Sequence, residues 1–342
     1  MKVYPFFIPH VGCPHRCRFC QQQKVSGHSS VPSPEQVAND LPLLLPEKGT
    51  GEVAFYGGSF TLLEPGLQMD YLQQVEPFIA NGQVSGVRIS TRPDAIGEEQ
   101  LNLLQQGGVT TVELGCQSFS GEVLEAAGRG HGPQVVAPAV ALLRSRSFQV
   151  GLQLMPGLPG SDSGEALQSL RKALDLRPDF LRIYPAVVLR DTALENDFLQ
   201  GRYRPLCLDE AVDLCAEMLW HCREAGVPVI RLGLQSTASL VPDEALVAGP
   251  FHPAFGALVR SRLWRRALTT VLAGQGKFPV QVHPADLSDV LDQRRGNLDF
   301  FETRGQYLVL QSDPGMGRDH FEVNGQIHAL QTAVNFPPIQ TF

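Results

Sequence analysis

Nowhere in the sequence do apolar side chains run on for the roughly 18 residues that suggest a membrane-crossing helix. The amino terminus, MKVYPFFIPH, carries a single Lys, its apolar run is broken by Pro5 and Pro9, and no small-residue cleavage site follows. Neither a membrane span nor a signal peptide is expected. Internal repeats and low-complexity tracts are also missing. So is any excess of positive charge: the formal net charge is −7, which argues against a general nucleic-acid binder, because phosphate neutralisation supplies most non-specific affinity. A local basic face is still compatible with it. What is present is core material, 43% hydrophobic against 18% charged residues in a chain of 342, as suits a folded protein with one main domain and a smaller one.

The seven cysteines are Cys13, Cys17, Cys20, Cys116, Cys207, Cys215 and Cys222. An odd count without export signals points to a reducing cytoplasm, where clustered thiols more often bind metal than pair as disulfides. Three of them crowd into CPHRCRFC, residues 13–20. A structural zinc site wants four ligands, commonly as two separated pairs, and no second CxxC pair exists. A 4Fe-4S cluster usually takes four cysteines, one per iron. Three ligands on one short loop would leave one iron open to a substrate or cofactor.

From Val53 to Tyr184 short β-branched or aromatic runs alternate with helix-like stretches. Strands are expected at 3–9, 53–57, 86–91, 109–115, 148–154 and 179–185, and helices at 34–45, 65–80, 98–106, 120–127, 133–145 and 164–175. Such alternation predicts βα units and a parallel sheet. The expected fold is α/β, a partial (β/α)6 TIM-like barrel over 1–234, with function at the C-terminal strand ends, followed by a smaller α+β extension over 235–342. A further helix is expected at 208–226, a strand at 227–233, a helix at 254–273 and strands at 278–283, 306–311 and 320–323. Residue 190 is a second candidate boundary.

Cys13-x3-Cys17-x2-Cys20, with Phe19 directly before the third cysteine, resembles the signature of radical S-adenosylmethionine (radical SAM) enzymes. The resemblance implies a 4Fe-4S cluster whose open iron chelates S-adenosylmethionine, cleavage of the sulfonium by one electron, and a 5′-deoxyadenosyl radical that abstracts hydrogen. An external electron donor of flavodoxin or ferredoxin type is implied with it. YGGSF, 56–60, resembles the family's Gly-Gly loop, so Gly57, Gly58 and Ser59 are expected to approach the methionine end of that cofactor. CQSF, GRGH and LQLMPGLP resemble segments of oxygen-independent coproporphyrinogen oxidase, which assigns Gln117 and Gln153 to the ribose or adenosine and Arg129 to the methionine carboxylate. Ser90, in STRPD, stands where those relatives carry an acidic residue.

PHVGCPHRC, AFYGGSF, VELGCQS, LMPGLPG and above all RIYPAVVLRDTALENDFLQGRYRPL, 182–206, resemble the radical-SAM half of the catalytic subunit of Elongator, a tRNA-modifying enzyme, over most of residues 5–234. Residues 235–342 hold no convincing acetyl-CoA pyrophosphate loop. A short, stand-alone relative without the acetyltransferase domain is expected, with use of acetyl-CoA left open. An RNA substrate, tRNA in particular, leads on this resemblance. A small-molecule or tetrapyrrole substrate and a non-catalytic haem or cluster delivery protein are the alternatives.

Other residues have a structural reading beside a functional one. Cys215, Leu219 and Cys222 share one helix face and read as packing, as does Cys116. His10 and His15 either hydrogen-bond the cluster sulfurs or face solvent, and His131 lies in the recognised RGH segment. Arg260, Arg262, Arg265 and Arg266, interleaved with Trp264, form either an RNA-binding face, supplemented by Arg202 and Arg204, or a solvated amphipathic helix.

Overall fold

The computed structural model describes residues 2–27, 30–237, 240 and 244–339. The chain folds into two compact units, Met1–Leu206 with Val227–Phe251, and Cys207–Gly226 with His252–Phe342. The helix Leu208–Glu224 therefore belongs to the second unit, although it precedes the expected division at 234.

The first unit is built on β1 (Val3–Ile8), β2 (Glu52–Gly57), β3 (Gly86–Thr91), β4 (Val109–Gln117), β5 (Gln149–Leu154) and β6 (Phe180–Ile183). The short β7 (Val188–Leu189) lies outside this sheet, and β8 (Val229–Leu232) completes it, giving seven parallel strands in the order β1-β2-β3-β4-β5-β6-β8. The six expected strands are all present, and the predicted strand at 227–233 becomes a seventh on the β6 edge. This is the curled, open sheet of a partial TIM-like barrel. β9 (Leu246–Ala248) pairs antiparallel with β7.

Alternation along the strands explains the layering. Val53 and Phe55, Val87 and Ile89, Val112 and Leu114, and Val150 and Leu152 are all fully buried. The intervening positions carry Arg88 and Glu113, also buried, and Arg182. Helices start where the sequence offers caps. Ser33 makes a capping box with Gln36, Asp162 caps Ser163–Asp175 through Glu165 N, and Thr192 caps Ala193–Leu199 through Glu195 N.

The second unit packs Leu208–Glu224 and Phe255–Val271 with a four-stranded mixed sheet of β10 (Gly276–Val282), β11 (Gln306–Ser312), β12 (His320–Val323) and β13 (Gln326–Ala329), ordered β11-β10-β12-β13. β13 is not among the expected strands. Its signal is Asn324-Gly325, both at positive φ (53° and 77°), the pair that favours a two-residue hairpin turn.

Candidate cluster and cofactor site

The loop after β1 carries the three cysteines and is tied to β2 by backbone. Gly58 N donates to Ile8 O at 3.0 Å and Ser59 N to Val11 O at 2.9 Å. A Cβ on Gly58 would stand 1.9 Å from Val11 O, so only glycine admits this approach. The Gly-Gly segment thus has a concrete task in holding the cysteine loop. Beyond it, Ser59 Oγ lies 3.5 Å from Cys13 Sγ.

Cys17 and Phe19 are buried, Cys13 and Cys20 half-buried, and Cys20 N donates to Cys17 O at 3.0 Å. Burial first, then the neighbouring Cys17 and Cys13, push the Cys20 thiol up to about 12. Three thiolates at such a loop need a cation to stay deprotonated together, and metal binding must displace their protons. Among the described residues no three His, Cys, Asp or Glu converge as around a single ion. A cube that takes one thiolate per iron has no such requirement.

Arg129 comes from the turn after the helix Gly121–Ala126 and is 7% exposed. Its Nη1 donates to Cys17 Sγ at 3.2 Å and its Nη2 to Gly115 O at 2.6 Å. Nε is buried without a partner, and no ion pair to a carboxylate is present among the described residues. A buried guanidinium without an anion is costly, so this position asks for a thiolate and a further acceptor. Gln117 sits beside it at a β-bulge, with φ of 68°, and its buried Oε1 is also unpaired. His131 Nδ1 donates to Gly132 O at 3.1 Å, leaving Nε2 as a buried acceptor with no partner. Burial and Arg129 lower the His131 pKa and favour this neutral form. The donor set and the three orphaned atoms, one donor and two acceptors, fit a thiolate-held cluster with a polar cofactor beside it that carries a carboxylate and hydrogen-bond donors.

Gln153 is otherwise engaged. Its Nε2 donates to Glu113 Oε2 at 3.0 Å, with Oε1 left as the acceptor for any ribose. Glu113, fully buried, also accepts from Tyr56 OH (3.0 Å), Arg88 Nη1 (2.9 Å) and Arg182 Nη2 (3.0 Å). Arg88 continues to Glu52, and Arg182 to Tyr184 OH at 3.0 Å. Two arginines and two glutamates balance within the barrel. No motif marks this network, although a charge at the centre of GVRIST, VTTVELG and DFLRIYP is itself a signal in strands expected to be buried on both faces.

Of the histidines flanking the cysteines, His10 Nε2 accepts from Gln22 N at 3.0 Å, while His15 is exposed and lies against Gly130. Cys116, Cys215 and Cys222 are fully buried. Burial holds each of these thiols far above the ordinary range.

The expected arginine and tryptophan face needs correction. Trp264 is 1% exposed and packs edge-on against Phe321 at 5.7 Å, so it has no face to stack on a base. Arg262 is paired with Asp209 and Asp213, Arg260 with Asp289, Arg265 with Asp292 and Asn297, and Arg266 with Asp213. The helix is amphipathic, and acidic neighbours from Leu208–Glu224 and from residues 289–292 neutralise its cationic side.

Comparison with known proteins agrees with this arrangement. Residues 7–173 match the Radical SAM superfamily and residues 178–265 the Radical SAM C-terminal domain. The tRNA uridine(34) acetyltransferase of Methanocaldococcus jannaschii is 36% identical over 129 residues, 37% of this chain and 24% of that protein. Elongator complex protein 3 of Saccharomyces cerevisiae is 31% identical over 137 residues, 39% of this chain and 25% of that protein. The matched region thus spans about a quarter of the length of these curated relatives. The solved structure of archaeal Elp3 from Methanocaldococcus infernus, with its N-terminus deleted, superposes with a TM-score of 0.61 at 22% identity, covering 78% of this chain and 63% of that one, and so shares the fold. With its cysteine loop, its parallel half-barrel and both domain matches in agreement, the chain belongs to the radical SAM superfamily, whose enzymes work with a 4Fe-4S cluster and S-adenosylmethionine.

Proposed function

We propose that this protein holds a 4Fe-4S cluster on Cys13, Cys17 and Cys20 and uses S-adenosylmethionine to modify RNA, with a tRNA-like substrate. The observation that carries the first half is Arg129, a buried guanidinium bonded to Cys17 with its Nε unpaired. When bound and reduced by a flavodoxin- or ferredoxin-type donor, the cluster supplies the electron that splits the sulfonium into methionine and a 5′-deoxyadenosyl radical.

The chain's own residues bind and orient. Arg129 Nη1 donates to Cys17 Sγ, and its unpaired Nε would hold the methionine carboxylate. Gln117 Oε1 and Gln153 Oε1 would accept from ribose hydroxyls. Gly57, Gly58 and Ser59 would form the wall at the methionine end, and Phe19, on the loop itself, packs in the same apolar cluster as Cys17. The saturated Glu113 network keeps the interior of the half-barrel rigid and charge-balanced.

The substrate half is supported by the Methanocaldococcus jannaschii relative, a tRNA uridine(34) acetyltransferase. The radical step is tested by anaerobic reconstitution and dithionite reduction, with methionine and 5′-deoxyadenosine as the expected products. No cleavage by fully loaded protein, in the presence of tRNA, would favour cluster or haem delivery instead. The substrate is tested by comparing the modified nucleosides of tRNA with and without the gene. An unchanged nucleoside profile would turn the reading toward a small molecule.

A further inference from the structure

Residues 182–206 carry the longest Elongator-like stretch, and the fold puts much of it against the cysteine loop. Cys17 and Phe19 pack in one apolar cluster with Leu158, Ala186, Val188, Leu194 and Tyr203. Leu194 N donates to Arg18 O at 2.8 Å, and Arg18 N to Ala127 O at 3.0 Å, so the peptide between Cys17 and Phe19 is gripped on both sides. Tyr203 OH donates to Gly157 O at 2.6 Å, anchoring the segment to the loop after β5.

At the centre stands Asp197, 7% exposed. Arg18 Nε donates to its Oδ2 at 3.1 Å, with Nη2 on the same oxygen. Arg202 Nε and Nη2 donate to Oδ1 at 3.1 and 2.6 Å. Each carboxylate oxygen therefore serves one arginine. One of those arginines sits between two of the cysteines, and the other is fixed on the same short segment as Asp197, since Arg202 N donates to Asp197 O at 2.8 Å. Lys24 pairs with Asp191 farther along the same interface.

We infer that Asp197 is a positioning residue for the cluster loop, a two-armed clamp that fixes Arg18 and with it the spacing of Cys17 and Cys20. The inference rests on the assignment of the three cysteines as cluster ligands. Without the carboxylate, Arg18 loses both its bonds, the Arg18 and Arg202 charges face each other unscreened, and no side chain among the described residues is left to fix the Arg18 position between Cys17 and Cys20.

The test measures anaerobic iron release from reconstituted protein to a ferrous chelator. Asp197→Asn is expected to speed release about tenfold, the lower end of what loss of an outer-sphere support costs a metal site, and Arg18→Gln to match it. The double variant should be no faster than either single one, and Asp197→Glu should recover part of the loss. Arg202→Gln should act more weakly, because Arg202 is not on the loop. General destabilisation would give additive effects and no recovery by Glu. Should Asp197→Asn fail to fold, Arg18→Gln with Asp197→Glu carries the same comparison. Loaded protein whose release ignores Asp197→Asn and Arg18→Gln, or a strictly additive double variant, overturns the clamp alone. Unmutated protein that takes up no iron overturns the ligand assignment and the clamp together.

Discussion

Arg129 of the half-barrel and the arginines of the second unit play opposite parts. In the second, Arg260, Arg262, Arg265 and Arg266 look like a nucleic-acid surface in one dimension, yet every one meets an acidic side chain in three. In the half-barrel, Arg129 is more buried than any of them and has a thiol and a carbonyl for company, with no carboxylate. What neutralises a guanidinium decides its role better than how many others stand nearby. Arginines with internal counterions stabilise at most modestly and attract little; one left short of an anion in a dry site is prepared for a ligand.

The comparison breaks first at the thiol that Arg129 touches. Cys17→Ala should reduce about four irons per chain to no intact cluster, read by iron and sulfide analysis after anaerobic reconstitution; a full complement in that variant would remove the reason for Arg129's position. Next comes the interior balance. Glu113→Gln leaves Arg88 and Arg182 short of a buried counterion and is expected to cost about 3–5 kcal/mol in urea unfolding, and a loss below about 1 kcal/mol would mean the network behaves like the paired arginines of the second unit. Arg129→Ala should then weaken S-adenosylmethionine binding to loaded protein by about 2 kcal/mol or more, near thirtyfold, in calorimetry; equal affinity would show that the orphaned Nε serves something else. The smallest effect is expected where the sequence pattern promised the most. Converting Arg262, Arg265 and Arg266 together to Ala should leave tRNA affinity and its salt slope unchanged, and a flattened slope would return this helix to the interface.

Much of the barrel is legible in the sequence because parallel strands buried on both faces announce themselves as short β-branched runs at regular spacing. The cysteine loop is legible because its ligands lie within eight residues. What escapes depends on distance in sequence. Glu113 accepts from Tyr56, 57 positions away, and from Arg182, 69 away, and nothing in any one strand says which charges will meet. Trp264 misleads because a helix with arginines on either side of an indole has two readings, and only the partner sheet, through Phe321, decides which face is inside. The side chain of Gln153 stands at the expected strand end, but one of its amide hydrogens already belongs to Glu113. The capping residues Ser33, Asp162 and Thr192 are visible as residue types, while the clamp at Asp197 is not, since its two arginines sit 179 and 5 residues away.

The contact between Gly58 and the carbonyl of Val11 has a consequence for how the chain can change in length. Because Gly58 N and Ser59 N are bonded to Ile8 O and Val11 O, the distance from the sheet edge to the first cysteine is counted in peptide units, and side chains in between have little say in it. One residue inserted between Ile8 and Cys13 would slide the ligands past their fixed partners on β2 and past Arg129 together. The same insertion near Glu47 and Lys48, in the exposed stretch before β2, would lengthen the chain upstream of every one of these bonds on the β2 side and shift none of them. Insertions in these two stretches should therefore be read by whether they fall inside Ile8–Cys13 or outside it, not by how far they lie from the cysteines.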